Sequence, residues 1–341
     1  IAAEVSRLYG LTEEDLAAID LELSGAGNGR SPDSEGEEPA EEEEVESSTM
    51  TEAEWARRWI TYAAGIVLGR FEVGVEGGLG CGRFSPETVQ KLGKLVAGDG
   101  ILVNDPGHPL DLSRRTFEAL ETMLGGSEAR KRVQAALGEG NPQELLAGWF
   151  DRFSGTPDSS FWKDHFQLYR KRPVYWPLQS PKKLFTVWVF HERFTRDTLF
   201  QVRNAIVEPR IRLAESQARD LADRAEKEKA TRQARDRILD LLDDLKKFSE
   251  TLRLVAEKGY TPYIDDGVLL NAAPLYGLLP SWPETAKAWK ELEKGEYDWA
   301  RQAMAYWPER VKEQCAKNRS LAIAHGLESL CPPEVGEQKP G

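Results

Sequence analysis

Residues 174–190, VYWPLQSPKKLFTVWVF, contain two runs of aromatic and β-branched residues on either side of the sequence SPKK at 180–183. Aromatic and β-branched residues favour strands, and a serine and a proline between two such runs favour a turn. Pro173 also disfavours a helix just before the first run. This stretch therefore predicts a β-hairpin in which Tyr175 and Trp188 pack inward and the turn lysines face the solvent.

Before the hairpin the pattern is mainly helical. Apolar residues recur three and four positions apart in much of 51–160, and Thr51 with Glu54 can form a capping box at the start of the first helix. We expect Trp55, which lies on the apolar stripe of this helix, to be part of the core. The sequence ILV at 101–103 predicts one short strand in this region.

After the hairpin the pattern predicts a long antiparallel helical hairpin. One helix starts at Asp197 and bends at Pro209, a polar stretch follows near 226–233, and the return helix carries an apolar seam spaced like a coiled-coil heptad. A tryptophan-rich helical module closes the pattern, and we expect its aromatic stripe, including Trp299, to be core. The seam consists of Ile238, Leu241, Leu245, Phe248, Leu252 and Val255.

Together these patterns predict an α+β fold that is mostly helical. Its parts are a small β-hairpin or sheet element, a long antiparallel helical hairpin and a C-terminal helical module. Residues 30–50 hold nine acids and one arginine, so like-charge repulsion and low hydrophobicity predict a disordered linker there. The expected ranges are a short helical segment at 1–29, the acidic linker at 30–50, a helical domain at 51–160, a basic β-hairpin region at 161–196, the helical hairpin at 197–258, the C-terminal helical module at 259–330 and a disordered tail at 331–341.

The charge of the chain is unevenly distributed. The net charge is −12, yet residues 163–212 hold eleven Lys or Arg against four Asp or Glu, which gives +7. Cations can neutralise phosphates, and aromatic side chains beside them can stack on or wedge between bases. This basic island therefore predicts contacts with nucleic acid, although the same residues also suit a solvated hairpin surface.

The candidate DNA-binding residues fall into three groups. Side chains near the two ends of the first strand are expected to contact phosphates, arginines past the second strand are expected to read base edges, and aromatic residues of the strands are expected to support the interface. The phosphate candidates are Arg170, Lys171, Arg172, Lys182 and Lys183, the base-edge candidates are Arg193 and Arg196, Arg203 is a further DNA-binding candidate, and the aromatic supports are Tyr175, Trp176 and Trp188.

Several other functions are disfavoured by composition. No apolar run approaches the roughly 20 residues that a membrane span needs, and no signal peptide is recognisable, so a cytoplasmic protein is expected. The cysteines and histidines are few and widely spaced, which predicts neither a disulfide framework nor a metal site. No catalytic residue is assigned, since the acidic pair Asp265 and Asp266 before Gly267 is typical of a structural turn.

Several segments resemble one protein family in order along the chain. They are LYGLTEEDLAAID at 8–20, WITYAAGIVLGRFE at 59–72, GDGILVND at 98–105, RKRPVYW at 170–176, LFTVWVFHERFTRDTL at 184–199 and GYTPYIDDGVLLNAAPL at 259–275. These segments resemble the C-terminal, non-catalytic half of large class I adenine-specific DNA methyltransferases of the BREX (PglX-type) and type IIG restriction–modification kind. The resemblance covers about residues 8–328.

The motifs that would make such a chain an enzyme on its own are absent. The family binds S-adenosylmethionine on a glycine-rich turn and holds the extruded adenine with an Asn-Pro-Pro-aromatic loop, whereas the nearest strings are 77–82, GGLGCG, and 271–274, NAAP. We therefore expect a fragment without a cofactor, inactive alone, with S-adenosylmethionine in the missing catalytic domain.

Two function classes follow from this resemblance. The first is the DNA-recognition and clamp portion of an adenine-N6 DNA methyltransferase in phage defence or restriction–modification, with duplex DNA and the catalytic domain or subunit as partners. The alternative is a non-enzymatic protein-interaction module that contacts other proteins of a phage-defence complex.

Overall fold

The computed structural model describes residues 12, 51–72, 84–225 and 229–331. The chain divides into two units, residues 1–55 and 56–341. The predicted helical segment at 1–29, apart from Thr12, the predicted acidic linker, the glycine-rich string at 77–82 and the predicted tail beyond Cys331 lie outside the described residues.

The predicted β-hairpin is confirmed. Strands β2 (Tyr175–Gln179) and β3 (Thr186–Phe190) pair antiparallel, and strand β1 (Ile101–Val103) pairs with the other edge of β3, so the sheet has three strands in the order β1-β3-β2. Every strand residue is buried, because helices and loops cover both faces of the sheet. The sheet is therefore a core element and not a one-sided surface hairpin.

Aromatic side chains fill both sides of the sheet. On one face Trp188 packs against Phe161, with ring centroids 5.1 Å apart. On the other face Trp176 packs against Phe194 at 5.9 Å and against Trp282 at 6.3 Å. Offset and edge-on aromatic pairs of this kind add to the burial energy of the rings themselves.

The helices before the hairpin begin and end at the capping residues that the sequence offers. Thr51 and Glu54 form the predicted capping box, and Ser85 caps the next helix ahead of a proline at its first position. Gly125, with a φ of 86°, separates two consecutive helices of this region. The elements are α1 (Glu52–Val67), α2 (Pro86–Gly93), α3 (Leu112–Leu124), α4 (Gly126–Leu137), α5 (Pro142–Asp151) and α6 (Phe161–Leu168), with a 3-10 turn at Pro157–Ser159.

The predicted helical hairpin is present, but its first arm is not the bent α-helix expected. After a 3-10 turn at His191–Arg193, α7 (Thr198–Gln201) leads into a π-helical turn at Val202–Val207, and α8 (Glu208–Ala225) follows. The Glu208 N–H donates to the Arg203 carbonyl, five residues back. A π turn is one way in which a helix admits a proline such as Pro209, which has no N–H to donate.

The return arm, α9 (Lys229–Glu257), packs antiparallel to α8. Ser249 donates to Glu208 and Lys246 pairs with Glu215, which fixes this direction. Helix α9 already begins at Lys229, within the polar stretch near 226–233 that was expected to connect the two arms. The sequence from 229 to 257 contains no glycine or proline that would break a helix. Leu245, Phe248 and Leu252 of the predicted seam are buried, whereas the outer end of the seam is only partly buried.

The C-terminal module has its own small core. Its helices are α10 (Gly267–Ala272), α11 (Pro283–Lys294), α12 (Arg301–Tyr306), α13 (Pro308–Cys315) and α14 (Arg319–His325), with 3-10 turns at Ile264–Asp266, Ala273–Leu278 and Glu328–Leu330. Pro308 opens α13 and so separates it from α12. The buried members of this core include Leu292, Ala303 and Val311.

Two tryptophans expected in the core are exposed. Trp55 is 53% exposed and Trp299 is 47% exposed. Trp55 lies in the first turn of α1, and Trp299 precedes α12 instead of lying within a helix. Helical spacing of apolar residues does not by itself determine which side chains are buried at such positions.

The main hydrophobic core extends from Ile60 to Trp282 and includes the sheet, the helices before it and the inner part of the helical hairpin. The ranges expected as 51–160, 161–196 and 197–258 thus share one core. Within the described residues, the helices include none with the length and apolar character needed to cross a membrane.

Candidate nucleic-acid interface

The basic island is divided between the two ends of the β2–β3 hairpin. Tyr175 pairs with Phe190 and Gln179 pairs with Thr186, so the chain before β2 and the chain after β3 lie together, while the 180–185 turn is at the far end. Five strand residues separate the ends by roughly 17 Å, at about 3.4 Å per residue. We call Arg170, Lys171, Arg172, Arg193 and Arg196 the arginine end, and Lys182 and Lys183 the lysine end.

The arginine end begins with a helix cap that is unusual in its residues. The Lys171 N–H donates to the Phe166 carbonyl at 2.8 Å and the Arg170 N–H donates to the Gln167 carbonyl at 3.0 Å, which closes the last turn of α6. Such a cap needs left-handed backbone and usually has glycine there. Here Arg170 has a φ of 47° and Lys171 a φ of 65°. Left-handed backbone costs a residue with a side chain about 1–2 kcal/mol.

A buried histidine fixes the chain between this cap and β2. The Nε2 atom of His165 accepts hydrogen bonds from the Val174 N–H at 3.0 Å and the Tyr175 N–H at 3.1 Å. Burial, followed by the nearby charges of Arg70 and His191, keeps the pKa of His165 well below its usual value, so the ring is neutral and its proton is on Nδ1. This histidine is therefore structural.

Five of the candidate cations at or beside the strand ends are unpaired. Arg170, Lys171, Arg172 and Arg196 are exposed, and among the described residues none of them has a carboxylate within ion-pair distance. Lys183, at the lysine end, is likewise exposed and without a carboxylate partner in the described ranges. These five side chains are available to an external anion.

The other three candidates are engaged within the protein. Lys182 pairs with Asp240 at 3.3 Å and Asp243 at 3.8 Å on α9. Arg193 donates from Nη1 to the Gly98 carbonyl at 2.6 Å. Arg203 pairs with Glu208 at 3.0 Å and also donates to its neighbour Asn204.

The lysine end is anchored by a carboxylate. The fully buried Asp244 accepts hydrogen bonds from the Lys182 N–H at 2.8 Å and the Leu184 N–H at 3.4 Å. Asp240 and Asp243 lie on the same stretch of α9. The negative charge of α9 thus compensates the charge of the hairpin turn.

The aromatic residues of the hairpin strands and of the turn between them do not offer stacking surfaces. Tyr175, Trp176 and Trp188 are at most 1% exposed, and Phe185 is 4% exposed. The expectation that these rings stack on or wedge between bases is wrong in this conformation, because strand residues of a sheet covered on both faces have no solvent-facing side. Their contribution is to support the backbone that presents the cations.

Asn271 of the string NAAP and Asp266 of the acidic pair have structural roles. Asn271, in the string NAAP, is buried and uses its amide to bond Tyr263, Gly267 and Gln302, so it does not fit a pocket that holds an adenine. Asp266 accepts from the Arg301 and Gln302 N–H groups at 2.7 Å and so caps α12. Over the residues that the structure describes, no cluster of His, Cys, Asp or Glu is placed to hold a metal ion.

Comparison with known proteins agrees with the resemblance found in the sequence. No protein-family model matches the chain. The adenine-specific methyltransferase PglX of Lacticaseibacillus casei (strain Zhang) is 30% identical over 278 residues, which cover 76% of this chain and 22% of that protein. The adenine-specific methyltransferase BrxX of Escherichia coli O9:H4 (strain HS) is 28% identical over 245 residues, which cover 64% of this chain and 20% of that protein.

The matched region is therefore about a fifth of the length of each relative. The suspected relationship is confirmed at this level: the chain is homologous to one part of the adenine-specific methyltransferases PglX and BrxX.

Proposed function

We propose that this chain is the DNA-binding and clamp portion of an S-adenosylmethionine-dependent adenine-N6 DNA methyltransferase of phage defence or restriction–modification. In this role it positions duplex DNA while a catalytic domain or subunit, which holds the cofactor, extrudes and methylates the adenine. Its relationship to adenine-specific methyltransferases supports the proposal, as does the group of unpaired cations at the arginine end.

One observation carries the proposal. The non-glycine residues with positive φ in the described part of the chain are Arg170, Lys171 and Lys183, and all three are exposed cations of the basic island. Glycine would relieve the backbone strain at each position, so stability alone does not account for arginine or lysine there. Backbone strain is found disproportionately at ligand-binding sites, where side-chain function offsets its cost.

The expected contact is with the phosphate backbone of duplex DNA. Single-strand binding relies on exposed aromatic rings on which unpaired bases stack, and the strand aromatics Tyr175, Trp176 and Trp188 are buried. Arginine and lysine contacts to phosphates position the duplex without reading its sequence. Arg196 is the remaining candidate for a base contact, since Arg193 is held by the Gly98 carbonyl.

The test is the salt dependence of duplex binding by the double variant Arg170→Gly, Lys171→Gly. Each lost phosphate contact should flatten the slope of log K against log salt by about 0.9, so we expect a change of about 1.8. The melting temperature should not fall, since glycine tolerates both backbone conformations. Fluorescence anisotropy with a labelled duplex gives the slope, and thermal unfolding gives the stability.

The matched control is the double variant Arg130→Gln, Lys290→Gln, which removes two exposed cations without an ion pair in the described structure from helices α4 and α11. The proposal is wrong if the control and the glycine variant have the same slope, or if the unaltered chain binds duplex no better than an acidic protein.

The second candidate function is a protein-interaction module. It is favoured by exposed apolar side chains on the C-terminal module, of which Ile264 is 89% exposed and Ile323 54% exposed. Exposed apolar groups can mark protein interfaces. Binding of other defence-system proteins that persists in the glycine variant, together with no duplex binding, would favour this alternative.

A further inference from the structure

A cation outside the basic island lies against the arginine end. Arg70 follows helix α1, where Gly69 has a φ of 77° and the Arg70 N–H donates to the Gly65 carbonyl at 2.9 Å. Two helix ends, those of α1 and α6, thus meet here, each with a cation in its cap. Helix C-termini carry partial negative charge, which favours cations at both positions.

The guanidinium of Arg70 is held against aromatic rings. Its Cζ lies 4.9 Å from the ring centroid of Tyr169 and 5.1 Å from that of Phe71, and its Nη1 donates to the Tyr169 hydroxyl. Tyr169 immediately precedes the strained pair Arg170 and Lys171. The position of Arg70 is therefore coupled to the turn that carries these cations.

The same corner also touches Arg193. A Cβ atom at Gly69 would lie 3.0 Å from Cζ of Arg193 and 3.1 Å from the Ala97 carbonyl oxygen, so only glycine leaves space for this packing. Chain segments far apart in sequence therefore bring Arg70, Arg193 and the 170–172 turn to one place.

Arg70 is partly buried and, within the described residues, has no carboxylate partner. A partly desolvated cation is costly unless an opposite charge compensates it, and contacts with aromatic faces supply only about 0.5–2 kcal/mol. A planar guanidinium whose orientation is already fixed suits two-pronged binding of a phosphate group.

We propose that Arg70 is a phosphodiester-binding residue of the arginine end, held in place by Tyr169. This inference rests on the proposed DNA-binding function and adds a contact that lies outside the basic island. The guanidinium of Arg70 is held in place before DNA binds, whereas the exposed side chains of Arg170, Lys171 and Arg172 can adjust to the DNA backbone.

The experiment measures duplex binding by the full chain for Arg70→Gln, Arg70→Lys and Tyr169→Phe. Arg70→Gln should flatten the salt slope by about 0.9, as expected for one lost phosphate contact. Arg70→Lys keeps the charge and should keep the slope, but it should bind several-fold more weakly because lysine lacks the planar fork. Tyr169→Phe should act like Arg70→Lys, since it removes the hydroxyl that holds the guanidinium and keeps the ring.

The control is Arg130→Gln, an exposed arginine on α4 without an ion pair among the described residues. If Arg70→Gln has the slope of this control while the Arg170→Gly, Lys171→Gly variant has a flatter one, the role of Arg70 is excluded and the proposed function stands. If the unaltered chain does not bind duplex at all, both the proposed function and the role of Arg70 that rests on it are wrong. A loss of affinity in Arg70→Lys as large as in Arg70→Gln, with lower melting temperatures for both, would assign Arg70 to packing and overturn the inference.

Discussion

The two ends of the β2–β3 hairpin have the same kind of side chains and opposite electrostatic surroundings. At each end, one buried side chain accepts two backbone N–H groups: His165 does so at the arginine end and Asp244 at the lysine end. The histidine is neutral, whereas the aspartate belongs to a stretch of α9 that also carries Asp240 and Asp243. Cations are therefore left uncompensated at the first end and are partly compensated at the second.

This difference teaches that the count of basic residues is a poor measure of a binding surface. The availability of a cation depends on which acids the fold brings to it, and those acids lie about sixty positions away in the chain at the lysine end. The neutral anchor at the arginine end is what leaves the charge there free for an anion.

The largest effect is expected from Asp244→Ala. The substitution leaves two turn N–H groups without their buried acceptor, which should lower the free energy of unfolding by about 3 kcal/mol. Chemical denaturation measures this change, and Asp243→Ala, on the exposed side of the same turn of α9, is the matched control with little expected effect. Equal stabilities for the two variants would show that Asp244 does not anchor the lysine end.

The next effect concerns the neutral anchor at the arginine end. The folded protein keeps His165 neutral because burial lowers its pKa well below the usual 6.5, so below that pH only the unfolded chain takes up this proton. Stability should thus fall as the pH drops from about 6.5, by up to about 1.4 kcal/mol per pH unit for one proton. His191, whose pKa burial also lowers, contributes in the same direction.

The check is the pH dependence of unfolding in His165→Gln, in which an amide oxygen can accept the same hydrogen bonds without titrating. The slope between pH 5 and 6.5 should become shallower. A slope identical to that of the unaltered chain would mean that His165 is protonated in the folded state, and the contrast between the two anchors would disappear.

The smallest expected effect is a difference in the salt dependence of duplex binding between variants of Lys182 and Lys183. Lys183→Gln should flatten the salt slope of duplex binding by up to about 0.9, whereas Lys182→Gln should change it less, because Asp240 and Asp243 already compensate Lys182. Both variants lose one charge, so each controls for the other in the same anisotropy measurement. A larger change for Lys182→Gln would reverse the ranking of the two lysines.

Much of the fold follows from local sequence patterns. The hairpin, the short strand at 101–103, the capping box at Thr51 and the return helix α9 all depend on residues close together in sequence, and the structure confirms them. Of the predicted seam of α9, Leu245, Phe248 and Leu252 are buried. The resemblance to adenine-specific methyltransferases was likewise visible in short segments.

The candidate site was less accessible to sequence reasoning. The partners of Lys182, Arg193 and Arg203 are set by tertiary packing or by the π turn, and no local pattern contains them. Burial of both sheet faces could not be read from the strands either, because it depends on which helices cover them. For Arg70 a usable signal does exist: a glycine followed by a cation just after an apolar helix is typical of a C-terminal cap.

The π turn at Val202–Val207 also sets a rule for insertions and deletions. A π turn amounts to an α-helix with one residue added, so deleting one residue from it would rotate all of α8 by about 100° around its axis. Ile211, Ala214 and Ala218, which α8 now buries, would then turn away from their present neighbours. A substitution along this arm alters the contacts of one side chain, whereas a change in its length by a single residue alters the phase of the whole helix.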